Sequence, residues 1–265
     1  MPGFLRWLSV AVALAVLACG CTTVTTTVGG VEVPAPSKSE ADPRKRAEIR
    51  TELASSYYRE GRLAIALEEA QRAVQVDSRY APAHGLLGLI YMEIGDRREA
   101  EASFGRALRL DPENGDMLNN YGWFLCQSGR ERESVEYFQR AASNRLYATP
   151  SLAMRNAGGC LLKINDFDGA ERALRRALEF DGTDAVTKYE LARLHLRRNQ
   201  LDRAAFYYGL LDPASRNGAP GLWLGLRIAR ASGDLRRERD LASQLNERYP
   251  DSAEASALRR GAFDE

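Results

Sequence analysis

The stretch LNNYGWFLCQSGR, residues 118–130, carries residue types from which sites are built: two adjacent asparagines, a tryptophan and a cysteine. Asn119 and Asn120 offer amides able to hold a peptide backbone, Trp123 a flat apolar ring, and Cys126 a thiol. Few other residues could join them in chemistry. His84 and His195 are the only histidines, and beyond residue 21 the only cysteines are Cys126 and Cys160. Nucleophilic catalysis needs a base within hydrogen-bond reach of the nucleophile, and no Ser/His/Asp set can be drawn without pulling both histidines from packing positions. NDFDG (165–169) would need Ile164 as the first ligand of a calcium loop, and isoleucine has no oxygen to offer. NAGGCLLK (156–163) lacks the Gly-Lys-Ser/Thr ending of a phosphate loop. The expectation is no enzyme, no cofactor, no metal site and no small-molecule substrate.

The elements that position these residues repeat. LASSYYREGRLAIALEEAQRA (53–73), LGLIYMEIGDRREAEASFGRA (87–107) and YGWFLCQSGRERESVEYFQRA (121–141) align at a spacing of 34 residues, and AGGCLLKINDFDGAERALRRA (157–177) and LARLHLRRNQLDRAAFYYGLL (191–211) continue the pattern. A small residue (Ala54, Gly88, Gly122, Gly158) recurs in the first helix of each copy, where it admits a close partner. Ala66, Ala100, Ala170 and Ala204 do the same in the second helix. The turn residue is Gly61, Gly95 and Gly129, then Asn165 and Asn199; asparagine is the next best choice for a left-handed position. This pattern resembles the tetratricopeptide repeat, which implies an all-α, right-handed superhelical solenoid of about six helix–turn–helix units. The repeats are placed at 47–80, 81–114, 115–148, 151–184 and 185–218, with a two-residue insertion at Thr149-Pro150, a degenerate copy at 219–250 and a tail at 251–265. Five good copies exceed the three or so that a stable stack requires.

In this frame His84 and His195 occupy the fourth and eleventh repeat positions, ordinarily packing slots, and are expected as core histidines. Cys126 and Cys160 fall on the first helices of adjacent repeats. Two buried free thiols are the expected state, although an oxidising compartment would permit a disulfide. The resemblance implies that the second, fifth, ninth, twelfth and thirteenth positions face the concave groove. Tyr58, Leu89, Met92, Asn119 and Trp123 would line it, giving an apolar stripe of the kind that marks interaction sites. The expected occupant is an amphipathic helix or a partly apolar peptide. The alternative is that neighbouring helices of the stack cover Trp123.

The N-terminus reads as a targeting signal over residues 1–20: Arg6 precedes an apolar run, WLSVAVALAVLA (7–18), too short to span a bilayer. Its end, VLACGCTT (16–23), resembles a bacterial lipobox with Cys21 as the acylated residue and Cys19 as the rival; cleavage after an alanine to release a soluble secreted protein is the third possibility. Thr22, rather than aspartate, follows Cys21, which in lipoproteins implies the outer membrane. Multiple acyl chains anchor stably where one does not. Residues 21–46 carry the lipid anchor and a Thr-, Val- and Pro-rich tether, whose flexible length averages roughly 25–30 Å. The net charge of +1, from 37 basic and 36 acidic groups, argues against nucleic acid as a partner.

Signal, tether and repeats in this order are similar to the type IV pilus biogenesis/stability lipoproteins of the PilF/PilW pilotin family. The resemblance is most specific in NGDMLNNYGWFLCQSGRERESVEYFQRAASNRLY (114–147), with support from LWLGLRIARASGD (222–234) and LNERYPDS (245–252). It implies a pilotin held by lipid at the periplasmic face of the outer membrane, with the pilus secretin subunit as partner. Another periplasmic repeat lipoprotein, serving outer-membrane protein assembly or peptidoglycan enzymes, would share the signal and the repeats.

Overall fold

The computed structural model describes residues 26–28, 31–33 and 42–263. Two short strands, β1 (Thr26–Val28) and β2 (Val31–Val33), pair antiparallel with Thr26 opposite Val33. They lie in the segment read as a tether and belong to a unit ending at Asp42, separate from the helical unit that begins at Pro43. The apolar signal run, Cys19 and Cys21 lie outside the described residues.

From Pro43 onward the described chain is helical hairpins. The first five are α1 (Pro43–Arg59) with α2 (Leu63–Val76), α3 (Ala81–Ile94) with α4 (Arg97–Leu110), α5 (Gly115–Gln127) with α6 (Glu131–Ser143), α7 (Pro150–Lys163) with α8 (Phe167–Phe180), and α9 (Ala185–Arg197) with α10 (Leu201–Gly209). After a short α11 (Pro213–Asn217) come α12 (Ala219–Ala231), α13 (Leu235–Arg248) and α14 (Ala253–Arg260). Each first helix packs on its own second helix, on the preceding second helix and on the next first helix, the mode of a tetratricopeptide solenoid.

One hydrogen bond closes all six hairpins. The amide two or three residues beyond the helix end donates back five residues: Arg62 to Tyr57, Asp96 to Tyr91, Arg130 to Leu125, Asp166 to Leu161, Gln200 to His195 and Asp234 to Ala229, all at 2.8–3.0 Å. This closure needs a left-handed residue between the helices. Asn165 (φ 58°) and Asn199 (φ 55°) adopt that conformation as the glycines do. The degenerate sixth copy, with Gly233 at φ 74°, therefore closes like the others.

The recurring small residues set the spacing inside the hairpins. A Cβ on Gly88 would stand 2.7 Å from the Phe104 ring, and one on Gly122 would stand 3.0 Å from Phe138. Phe104 and Phe138 are both fully buried. A methyl at Gly88 would displace the Phe104 ring and one at Gly122 would press on Phe138, so each ring seats directly on its partner's backbone.

Pro150 of the two-residue insertion becomes the first residue of α7, where its missing N–H costs nothing and its fixed φ suits the helix. Two elements depart from the expected repeat boundaries. The second helix of repeat five stops at Gly209, and Asp212 caps the extra turn α11 by accepting from Ser215 N. The segment read as a tail contains α14, which buries Ala255 and Ala257 in a cluster with Trp223, Leu241 and Leu245. A terminal helix of this kind covers the end of a repeat stack.

Where repeat four meets repeat five, the Asp184 carboxylate accepts from Val186 N (3.0 Å), Thr187 N (3.3 Å), Thr187 Oγ1 (2.7 Å) and Arg155 Nη1 (2.8 Å). Burial alone would raise its pKa, but the Thr187 bonds and the Arg155 charge outweigh burial and hold it below the ordinary value. A carboxyl that binds its proton less tightly folded than unfolded stabilises the fold fully above its ordinary pKa, near 4. That contribution drains away as pH falls through the lowered folded value. Asp184→Ala is therefore expected to cost about 1 kcal/mol at neutral pH, as cap losses do, and to flatten the stability curve below about pH 4. Urea melts at neutral and acid pH measure both; an unchanged acid slope would contradict the assignment.

Candidate partner-binding groove

Trp123 projects from α5 with 37% of its surface exposed. It is a large ring left open beside buried neighbours: Phe124, Leu125 and Cys126 are 2% exposed or less. The Lys163 ammonium, from the end of α7, stands 5.6 Å from the centre of the Trp123 ring and donates to Gln127 Oε1 at 2.9 Å. Gln127 and Lys163 hold the same thirteenth position of successive repeats, so this cross-repeat contact was legible in the register. The ring is thus partly covered by a flexible cation and partly open.

Asn119 lies one turn before Trp123 and is 7% exposed. Its Oδ1 accepts from Asn156 Nδ2 at 3.1 Å, and its Nδ2 donates to Asn120 Oδ1 at 3.4 Å. The amide expected to meet a partner therefore spends its oxygen tying α5 to α7. Asn156 is the residue that sequence reasoning did not single out; an amide on the adjoining first helix is the only signal it gives.

The remaining predicted groove residues are half-buried. Leu89 and Met92 of α3 pack against the cluster of Phe104, Tyr121 and Phe124. Tyr58 of α1 packs with Leu86, Leu87 and Ile90; burial, then the nearby Glu93 carboxylate, raises its hydroxyl pKa. The stripe Tyr58–Leu89–Met92–Trp123 is thus graded: three positions show part of their apolar surface, and Trp123 stands furthest out.

Cys126 and Cys160 correct one expectation. They form a disulfide, with Cα atoms 5.9 Å apart, rather than two free thiols. Adjacent first helices lie side by side, and although Cys126 holds the twelfth position of its repeat and Cys160 the tenth of the next, their Cα atoms come within the range that a disulfide spans. The bridge joins α5 to α7 one turn beyond Trp123, beneath the Gln127–Lys163 contact.

Both histidines sit in packing positions. His84 is 9% exposed, with Nε2 donating to the Ser78 carbonyl at 3.0 Å. His195 is fully buried and stacked on Tyr207, and its Nδ1 donates to Gln200 Oε1 at 2.7 Å. Among the described residues no group of three His, Cys, Asp or Glu side chains is placed to hold a metal ion, and no helix is long and apolar enough to cross a membrane. The groove offers an aromatic ring, thioether and aliphatic surface, and a cation beside them, which is the chemistry of peptide or helix recognition.

The tetratricopeptide repeat family model matches residues 51–96 and 86–151. The chain is 27% identical over 203 residues to the type IV pilus assembly protein PilF of Pseudomonas aeruginosa, covering 77% of this chain and 81% of that protein. The solved structure of PilW, described as a widely conserved type IV pilus biogenesis factor, is 31% identical with a TM-score of 0.72, over 80% of this chain and 97% of that one. The solved structure of Pseudomonas aeruginosa PilF superposes with a TM-score of 0.71 at 24% identity, over 83% of this chain and 99% of that one.

Proposed function

Because the chain belongs to the tetratricopeptide-repeat family of type IV pilus biogenesis proteins that includes PilW and PilF, we propose that it is a pilotin for the pilus secretin. In this reading, lipid on Cys21 holds the chain at the periplasmic face of the outer membrane. The groove around Trp123 binds a segment of the secretin subunit, and the complex delivers the subunit for assembly into its multimeric channel. The chain acts as a binding scaffold rather than as an enzyme.

The observation that carries the reading is a likeness to PilW spanning 97% of that chain and 80% of this one, rather than a few shared repeats. A scaffold of this kind does its work by position. The hairpins keep Trp123, Leu89 and Met92 in a fixed relation, so a partner segment is ordered against a surface that is itself already ordered, which lowers the entropy cost of binding.

The test is genetic and biochemical. Deleting the gene is expected to abolish the heat-resistant secretin multimer on immunoblots, together with twitching motility. Complementation with Cys21→Ala is expected to leave the defect in place while the protein remains soluble in the periplasm. Multimers at normal abundance in the deletion strain would overturn the pilotin reading, and full rescue by Cys21→Ala would overturn lipid on Cys21 as the anchor.

A further inference from the structure

Gly159 lies in the interior of α7, where glycine weakens a helix because it gives up more backbone freedom on folding than any other residue. Its neighbour Gly158 has a packing reason to be glycine: a Cβ there would stand 2.6 Å from Leu174. Gly159 has no such reason. A Cβ built on it meets nothing within 4 Å, and its backbone is not left-handed. Among the described glycines with that much open space, the others are turn residues with positive φ, or Gly209 at the end of α10. The fold would accept an alanine at 159 and gain from it.

The open space lies in the groove. Gly159 holds the ninth repeat position, as Trp123 does one repeat earlier, and two hydrogen bonds between α5 and α7 frame the pair. About one turn before them Asn156 Nδ2 donates to Asn119 Oδ1 at 3.1 Å, and one turn after them Lys163 Nζ donates to Gln127 Oε1 at 2.9 Å. The ninth column runs Leu89, Trp123, Gly159, Arg193, and Arg193 is paired with Glu190 at 2.6 Å. The apolar stripe therefore ends on one exposed ring, with a gap in the side-chain layer next to it and an ion pair beyond. The polar groups at both ends of the gap are bonded to each other, which leaves the space between them to apolar atoms.

We propose that Gly159 is a specificity-determining residue of this groove: the gap it leaves beside Trp123 receives a large apolar side chain of the partner segment. That side chain lies against the indole ring with the α7 backbone beneath it. The inference rests on the reading that the groove holds a partner, and it adds what the partner presents there, an aromatic or aliphatic side chain rather than a charged one. A side chain at 159 would stabilise the helix and occupy the guest's place, the usual conflict between stability and function at a binding site.

Stability and affinity should then move in opposite directions. Gly159→Ala is expected to raise the urea midpoint of the purified mature chain, a gain of roughly two- to fivefold in the folding equilibrium constant. The same variant should bind the periplasmic part of the pilus secretin more weakly. Gly159→Leu, which fills the gap, should weaken that binding at least about tenfold, with a midpoint no lower than that of the wild type. A glycine needed only for packing would lose stability on replacement. In a second arm, a library of random short peptides is selected on the wild-type chain and counter-selected on Trp123→Ala. Enriched peptides are expected to carry Leu, Met, Phe or Trp and to lose binding to Gly159→Leu. This arm contains no secretin, so if the secretin fails to bind even the wild type, the pilotin reading falls and the selected peptides decide the role of Gly159. If the secretin binds the wild type and Gly159→Leu equally, the proposal falls and the pilotin reading stands. Selected peptides that bind Gly159→Leu unchanged, no enriched peptide at all, or a midpoint lowered by Gly159→Ala would also overturn it.

Discussion

Reduction of the disulfide between Cys126 and Cys160 is expected to lower the stability of the chain by about 3–4 kcal/mol, the loop-closure value for a bridge of this span. The two cysteines are 34 residues apart, so the bond closes a loop containing all of α6 and the insertion at Thr149-Pro150. In a repeat stack each unit touches only its neighbours, and stability is close to a sum of units and interfaces. The loss should therefore concentrate at the junction of repeats three and four. Cys126→Ser with Cys160→Ser, compared with the oxidised chain in urea, measures the total. Hydrogen exchange should show faster opening in α5, α6 and α7, with α12 to α14 little changed. A change below about 1 kcal/mol would mean that the packed helices alone hold this junction, against the loop-closure estimate.

Phe138→Ala is expected to cost about 3–5 kcal/mol, the range for deleting a buried phenyl ring. Phe138 is fully buried and belongs to the same cluster as both cysteines. Its ring seats against the backbone at Gly122, where even a Cβ would come within 3.0 Å. The helices it separates are fixed at their ends by the turn at Gly129 and by the Arg130 to Leu125 hydrogen bond. They cannot close over the vacated volume without breaking that turn, so a cavity should remain and the cost should lie at the upper end of the range. Denaturant melts followed by far-ultraviolet circular dichroism give the number. A loss near 1 kcal/mol would show that the hairpin re-closes and that the ring does not set its spacing.

Much of this architecture was legible because a repeat states each of its rules several times. The glycine at the turn of the first three copies marks a left-handed position, so Asn165 and Asn199 in the same column could be read as turns although neither is glycine. The small residues Gly88 and Gly122 could likewise be read as seats for large rings. Elements that occur once had no such support. Helix α14 is only eight residues long with small apolar side chains apart from Leu258, and its burial comes from Trp223 and Leu245, which lie on other helices. Helix α11 follows from Asp212 and Pro213, a cap and a helix start, but the aligned columns placed it inside repeat five.

The site was legible in kind and less so in degree. Position in the repeat marked Trp123, yet the half-burial of Leu89 and Met92 depends on Phe124 and Tyr121 of the next repeat. Asn119 looked free to meet a peptide because nothing in the sequence pairs it with Asn156, 37 residues later. The disulfide was misjudged for a similar reason. Neighbouring repeats bring their first helices together, but the Thr149-Pro150 insertion leaves Cys126 and Cys160 at different repeat positions, and the direction of each Cβ decides whether two sulfurs can bond.

The most direct measurement is the affinity of the purified mature chain for the periplasmic part of the pilus secretin, by isothermal titration, with the wild type, Trp123→Ala and Leu89→Ser. Loss of a central tryptophan anchor is expected to weaken binding by about 2 kcal/mol or more, roughly thirtyfold, and Leu89→Ser by less, with urea midpoints unchanged for both. Equal affinities across the three folded proteins would contradict the claim that the groove at Trp123 is where this scaffold holds its partner.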